Sequence, residues 1–344
     1  MLSRKNNQED PFFIAEVGQN HNGNLELARE FIRVFANEGA HAVKFQTRNN
    51  RYLFSEDAYD APYTSENAFA ETYGEHREKL ELKPEWLSIL KKDCAKLGVK
   101  FMSTPFDEPS LEVLSRIDID IIKIASFDLG NLPFISRVGE LGKPVVLSVG
   151  GGKIDQIKSS VSVLLSKKVE VAVLHCVSEY PCEYDRLGLE AIQLLKQEFP
   201  ECVIGSSDHF NGILSGPVAY LQGARVFEKH VTLNRSWKGT DHSFALEPEG
   251  FRKFIRDTKR VSHMLVPKKE NELGSEGVFK KLGKSLIAYK DIQKGEVLSL
   301  ENLSGRIFKS QFIPVRESNR VLGCVANRFI KSGEPITLND IIKG

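Results

Sequence analysis

The chain has 344 residues, with 47 Lys or Arg against 46 Asp or Glu and a formal net charge of +1. Apolar residues make up 41% and charged residues 27%, the balance of a globular protein with room for one large domain and a small one. The near-neutral charge argues against nucleic acid or a membrane surface as partner, no apolar run reaches the length of a membrane span, and the opening MLSRKNNQEDPFF lacks the apolar core of a signal peptide.

From Phe12 onward, short apolar runs alternate with longer amphipathic segments. FFIAEV (12–17) carries Glu16 and is followed by Asn20-His21-Asn22. AVKFQ (42–46) places Lys44 and Gln46 on one face of a strand. Next comes a polar, aromatic stretch (48–86), too long for a plain connection and expected to act as a lid or a partner contact. VKFMS (99–103) leads into Thr104, and IIKIAS (121–126) carries Lys123 and leads into Ser126-Phe127-Asp128. PVVLSV (144–149) holds Ser148, and VAVLHC (171–176) precedes Ser178-Glu179-Tyr180. VIGSS (203–207) runs into Asp208-His209, and VFEKH (226–230) ends at His230.

Helix-exit signals such as EGAHA, LGVK, LGKP and QGAR precede most of these runs. Eight strand–helix units predict an α/β fold, a closed (β/α)8 TIM barrel over residues 1–265. A doubly wound open sheet is the competing topology. It is disfavoured because polar residues end nearly every strand and no Gly-rich dinucleotide fingerprint follows the first. Residues 266–282, including the charged PKKENELGSEG, read as a linker. In residues 283–344 the segment 288–303 matches 326–341, with Ile, Gly-Glu and Leu recurring at an offset of 38 residues. That repeat predicts a small β-rich domain of two similar halves packed face to face, each a short strand, a Gly turn and another short strand. So small a domain buries little apolar surface alone and is expected to dock on its own barrel or a partner's. The five cysteines, Cys94, Cys176, Cys182, Cys202 and Cys324, lack metal-ligand spacing and read as reduced thiols of a cytoplasmic protein.

Side chains alternate along a strand, so Ser207 and His209 share one face, as do Glu228 and His230. On neighbouring strands both imidazoles point into one mouth, an arrangement suited to a divalent metal with open positions. Lys44 and Lys123, amid the hydroxyls of Thr104, Ser126, Ser148 and Ser207, suit a small phosphate or carboxylate anion. Burying an unpaired lysine costs several kcal/mol, so these two imply a bound anion, a Schiff base, or internal pairing with Glu16, Asp128 or Glu228.

The segments IAEVGQNHNGNLELA, AHAVKFQT, STPFD, KIASFDLGNLPF, KPVVLSVG, LHCVSEYP, GSSDH, FEKHVTL and KGTDHSFALEP resemble the signatures of sialic acid synthases, within the broader nonulosonic acid synthases. The carboxyl-terminal repeat is similar to their antifreeze-like (SAF) domain. The resemblance runs in order along nearly the whole chain. It implies condensation of phosphoenolpyruvate with an open-chain N-acetylated amino sugar, N-acetylmannosamine first among them. Water adds, phosphate leaves, and a nine-carbon 3-deoxy-2-keto acid forms. It further implies that His209 and His230 hold Mn2+ or Mg2+, that Lys44, Thr104, Lys123, Ser126, Ser148, Ser178 and Ser207 bind phosphoenolpyruvate, and that Glu16 serves as acid/base with Asp128 as a metal-side carboxylate. Tyr180, Glu228, Asp241 and Arg306 are expected on the sugar, Asp208 and His242 in support, and a domain-swapped homodimer as the assembly.

The chain departs from the family pattern at Val149, Ser178, Cys182-Glu183 and around Arg306. These changes fall mainly on the sugar side and leave legionaminate, pseudaminate or a phosphorylated N-acetylmannosamine open. Two other readings stand beside the synthase: a Schiff-base pyruvate aldolase using Lys123 or Lys44, and a non-catalytic sugar-binding relative.

Overall fold

Eight alternating runs become eight parallel strands: β1 Phe12–Gly18, β2 Ala42–Thr47, β3 Lys100–Pro105, β4 Ile121–Ile124, β5 Val145–Ser148, β6 Val171–Cys176, β7 Val203–Asp208 and β8 Val226–His230. They pair in chain order and β8 returns to β1, closing a TIM barrel. The computed structural model describes residues 10–343, so the first nine residues of the MLSRKNNQEDPFF opening lie outside it. β4 is shorter than the run IIKIAS because Ser126–Asp128 turn into a 3-10 helix.

The connecting helices begin where the sequence supplies caps. Asn24, Asp107 and Asn131 accept from backbone amides of their first turns, satisfying donors that have no helical partner. Pro84, Pro109, Pro133 and Pro248 sit in first turns, where a missing amide hydrogen costs nothing.

The two faces of each strand bury differently. Outward side chains such as Phe13, Phe101, Leu147 and Phe227 pack under the helices. Inward, Ile14, Ala42, Met102, Ile121, Val146, Ala172, Leu174 and Val226 form a dry apolar plug. Gly205 completes that layer, since a Cβ there would lie 2.2 Å from the Val226 carbonyl oxygen. Two residues further along the eight strands stand Glu16, Lys44, Thr104, Lys123, Ser148, Cys176, Ser207 and Glu228. The strand period thus places a polar layer on top of an apolar one.

Asp208 and Lys229 face the helices. Their ion pair, 2.6 Å long, is buried beside Phe254. Asp208 also accepts from the Phe210 amide at 2.8 Å and from Ser215 Oγ. It is a strut outside the barrel lumen.

The stretch 48–86 is not an extended loop. It holds helices Asn50–Leu53, Glu56–Tyr59 and Tyr73–Leu80 and runs into Pro84–Lys96. Its centre is buried His76, whose ring lies 4.5 Å from that of Tyr63 and 5.8 Å from that of Phe69.

A second compact unit begins after Leu265. Residues 266–282 carry a 3-10 turn, Glu270–Glu272, and a helix, Val278–Leu282. Beyond them β9 Ser285–Ala288 pairs antiparallel with β10 Leu303–Arg306, and β11 Val325–Ala326 with β12 Ile341–Ile342. The repeats interlock as equals. Gly295 N donates to Ala326 O and Gly333 N to Ala288 O, both at 2.8 Å, while Ile292 and Ile330 exchange amide bonds of 2.9 Å. The second short strand expected in each half is reduced to single bridges, Val297 to Val325 and Pro335 to Ile287. The core of this unit is Leu286, Ile292, Leu298, Ile330 and Ile336.

All five cysteines are free and buried, and among the described residues no helix is long and apolar enough to cross a membrane.

Candidate active site

The polar layer opens into a cavity of about 310 Å³ at the carboxyl ends of the strands. Strand register decides which groups meet there. Glu16 on β1 lies beside Lys44 on β2 and His230 on β8, and Ser207 on β7 beside Glu228 on β8.

Lys44 Nζ lies 2.7 Å from Glu16 Oε2, 3.7 Å from Glu228 Oε2 and 3.3 Å from Thr104 Oγ1. Lys123 Nζ donates to Glu228 Oε1 at 3.1 Å, and Ser207 Oγ donates to the same oxygen at 2.9 Å. Two lysines therefore face two carboxylates. Burial works against every charge here, but the environments differ. Burial drives Glu16 upward, opposed mainly by Lys44. Lys123 and Lys44 together overcome the burial of Glu228 and hold it well below the usual carboxylate range. Burial lowers Lys123 despite Glu228, whereas the carboxylates of Glu16 and Glu228 overcome burial at Lys44 and raise it.

His209 and His230 stand 5.4 Å apart between ring centroids. His209 Nδ1 meets the Val177 carbonyl at 2.7 Å, and a carbonyl only accepts, so Nδ1 carries the hydrogen and Nε2 keeps its lone pair. Burial, then the neighbouring His230, pushes His209 down to about 4, and burial lowers His230 as well. Both imidazoles are neutral at ordinary pH, the form that ligates a metal. His230 Nδ1 is buried without a hydrogen-bond partner, 3.8 Å from Asp241 Oδ2. Among the described residues no three His, Cys, Asp or Glu side chains gather around one point. A divalent ion would take these two imidazoles and leave its remaining positions to water and substrate oxygens. Tyr180 lies with its ring centroid 4.0 Å from that of His209, and Phe244 stands 5.2 Å from His230.

The cavity brings together Glu16, Lys44, Thr104, Lys123, Ser126, Ser148, Tyr180, Ser207, His209, Glu228, His230 and Asp241. Three expected residues do not line it. Asp128 accepts from Asn131 Nδ2 at 3.0 Å, and its charged neighbours are Glu108 and Asp107. Ser178 is exposed and crowds Gly150, where a Cβ would meet its Oγ at 2.5 Å. Arg306 is exposed on β10 of the second unit. His242, read as supporting, bonds Thr232 Oγ1 through Nδ1 at 2.7 Å.

Gln19, Arg48, Arg77, Phe106 and Thr240 also line the cavity. Arg48 was within reach of the sequence, since it continues the alternation of Lys44 and Gln46 past the strand end. Its guanidinium lies 3.8 Å over the Phe106 ring. Arg77 carries no such signal, because its helix belongs to the long insertion.

The NeuB family profile matches residues 31–270, and the SAF domain profile matches 283–342. The chain belongs to the NeuB family. It is 32% identical to the human N-acetylneuraminate-9-phosphate synthase over 92% of this chain and 88% of that protein. It is 34% identical to the N,N'-diacetyllegionaminic acid synthase of Campylobacter jejuni over 94% of this chain and 98% of that one. The crystal structure of the N-acetylneuraminic acid synthetase of Leptospira borgpetersenii, in complex with citrate, superposes with a TM-score of 0.69 at 32% identity, covering 79% of this chain and 92% of that one. This NeuB-family chain is thus a carbon–carbon bond-forming synthase built as a TIM barrel with a SAF domain, and its relatives make nonulosonic acids.

Proposed function

We propose that this chain condenses phosphoenolpyruvate with an open-chain N-acetylated amino sugar, N-acetylmannosamine or a close analogue, in the cytoplasm, releasing phosphate and a nine-carbon 2-keto acid. One observation carries the reading. Two neutral imidazoles share a cavity with two buried lysines set among four hydroxyls, Thr104, Ser126, Ser148 and Ser207.

Lys44 and Lys123 supply charge for the phosphate and carboxylate of phosphoenolpyruvate, and the hydroxyls supply short donors to their remaining oxygens. His209 and His230 would hold Mn2+ or Mg2+, which supplies Lewis acidity toward an aldehyde oxygen. Glu16 is the acid/base group. Gln46 Nε2 donates to its Oε1 at 2.9 Å and Lys44 holds its Oε2, so the carboxyl is oriented toward the reacting atoms. Tyr180 and Asp241 approach the acceptor from loops after β6 and β8. Ser178 and Asp128 keep the roles that the family resemblance implies only if substrate binding brings them inward.

The test is phosphate release. It should require both phosphoenolpyruvate and an amino sugar, yield a product with the summed mass of both substrates and one water less phosphoric acid, and vanish with EDTA. His209→Ala should lose roughly 100-fold or more in turnover with an unchanged circular dichroism spectrum. Condensation of free pyruvate without phosphate release would overturn the reading. Lys123, lowered by burial, favours a second one, a Schiff-base aldolase. Borohydride trapping of a pyruvate adduct on Lys123 would establish it.

A further inference from the structure

Glu16 is held by Lys44 and Gln46, and Gln46 is held in turn by Arg48, two residues further along the chain. A carboxamide can face either way, because its oxygen accepts and its nitrogen donates. A guanidinium only donates. Arg48 Nη2 donates to Gln46 Oε1 at 2.6 Å, so that oxygen is turned to Arg48 and Nε2 is turned to Glu16 Oε1, 2.9 Å away. A flipped amide would set its NH2 against a cation and its oxygen against a carboxylate, losing two charge-assisted hydrogen bonds at once.

The anchor of Arg48 comes from the insertion. Glu81 follows the helix Tyr73–Leu80 as its carboxyl-terminal cap. Its Oε1 lies 3.4 Å from Arg48 Nη1, and its Oε2 accepts from the Arg48 amide at 3.1 Å. The Phe106 ring covers the guanidinium from 3.8 Å. The succession of guanidinium, amide and carboxylate then recurs. Among the described residues Arg77 bonds neutral groups, Gln19 Oε1 and the Tyr73 hydroxyl, the latter at 2.6 and 3.0 Å. Gln19 Nε2 donates to Glu81 Oε1 at 3.0 Å. Each bond between Arg77 and Glu16 thus has one permitted direction: Arg77 to Gln19, Gln19 to Glu81, Arg48 to Glu81, Arg48 to Gln46 and Gln46 to Glu16.

We propose that Arg48, anchored by Glu81 of the insertion, is a positioning residue that locks the Gln46 amide, so that Glu16 keeps a donor on Oε1 and presents its remaining lone pairs to the cavity. This rests on the synthase reading above, with Glu16 as the acid/base group, and it gives the insertion a share in the chemistry. Arg48 also lines the cavity, so the test has to separate the lock from a direct contact with substrate.

Arg48→Met, Arg48→Lys and Gln46→Met are compared in the full-length enzyme by steady-state phosphate release, with circular dichroism as the folding control. Arg48→Met should lose roughly 10- to 100-fold in kcat, while the KM for phosphoenolpyruvate moves only a few-fold. Arg48→Lys still donates to Gln46 and should recover most of that loss. Gln46→Met should match Arg48→Met, and combining the two should cost only about twofold more, because both break one path. Full kcat in Gln46→Met or Arg48→Met overturns the proposal and leaves the synthase standing. So does an undiminished cost of Arg48→Met on the Gln46→Met background, which puts the arginine on substrate.

A second readout needs no turnover. In protein carrying nitrogen-15 on its glutamine side chains, the Gln46 signal is the one absent from Gln46→Met. One of its amide protons should be moved downfield by the carboxylate partner, and that shift should collapse in Arg48→Met and persist in Arg48→Lys. A wild-type signal without the shift overturns the proposal even if every arginine variant misfolds. If the wild type releases no phosphate, yet the shift is present and collapses in Arg48→Met, the synthase reading falls and the lock stands.

Discussion

Glu16 and Glu228 share one charged layer, and their neighbours divide the work. Glu228 is gripped by Lys123, Lys44 and Ser207, which hold it anionic at the cavity wall. Glu16 has one lysine and an amide, and burial pushes its proton affinity up. Carboxylates whose surroundings separate them in this way divide into acid/base and permanent charge. Glu16→Gln keeps the shape, and its amide oxygen still accepts from Gln46 Nε2, but it cannot exchange a proton. Turnover should fall by about 10²- to 10⁴-fold while the KM for phosphoenolpyruvate moves only a few-fold. Steady-state phosphate release measures both, and a fully active variant would move the acid/base role elsewhere. Gly18 shows how tightly this corner is built. Its φ of +56° and its missing Cβ leave room for Glu16 Oε1 and Gln46 Nε2, each 3.2 Å from where a Cβ would stand.

At the scale of elements, the insertion is a folded module. His76 is its hub, ringed by Tyr63, Phe69 and Tyr73, and accepts from the Phe69 amide at 3.2 Å. Burial lowers its pKa to about 4. The unfolded chain, near the ordinary 6.5, therefore binds a proton that the folded module refuses between these values. Stability from this site is complete above pH 6.5 and is lost as pH falls toward 4. His21, buried after β1 and lowered to about 3, acts in the same direction. The unfolding midpoint should drop from pH 6.5 to 4, and His76→Gln should make that drop shallower. An identical slope in the variant would place the proton uptake at other residues. In the small domain, the 38-residue repeat resolves into halves that donate to each other at matched positions. That mutual pairing joins the halves over the apolar core that holds Ile292 and Ile330.

For the whole molecule, a barrel whose mouth holds the chemistry is joined to a SAF domain too small to bury much surface alone. We propose a homodimer in which each SAF domain serves the other subunit's barrel, with Arg306 directed at the acceptor. Light scattering should report a dimer. Arg306→Ala should raise the KM for the sugar well above any change in that for phosphoenolpyruvate. A fully active monomer, or equal effects on both substrates, would remove the assignment.

Barrel, repeat and most of the cavity wall were legible in the residue order because they follow from a local rule. Side chains alternate along a strand, so Glu16, Lys44, Lys123, Glu228 and the two imidazoles must share one interior once eight strands close a ring. Past the strand ends alternation no longer decides where a side chain points. Asp128 follows a strand, but its 3-10 turn aims it at Asn131. Arg77 is far in sequence from every strand and reaches the cavity only because a folded insertion carries it there. Which carboxylate each lysine grips, and which guanidinium is left unmatched, depend on distances between strands and loops that only the closed barrel sets, since charge pairing acts through space rather than along the chain.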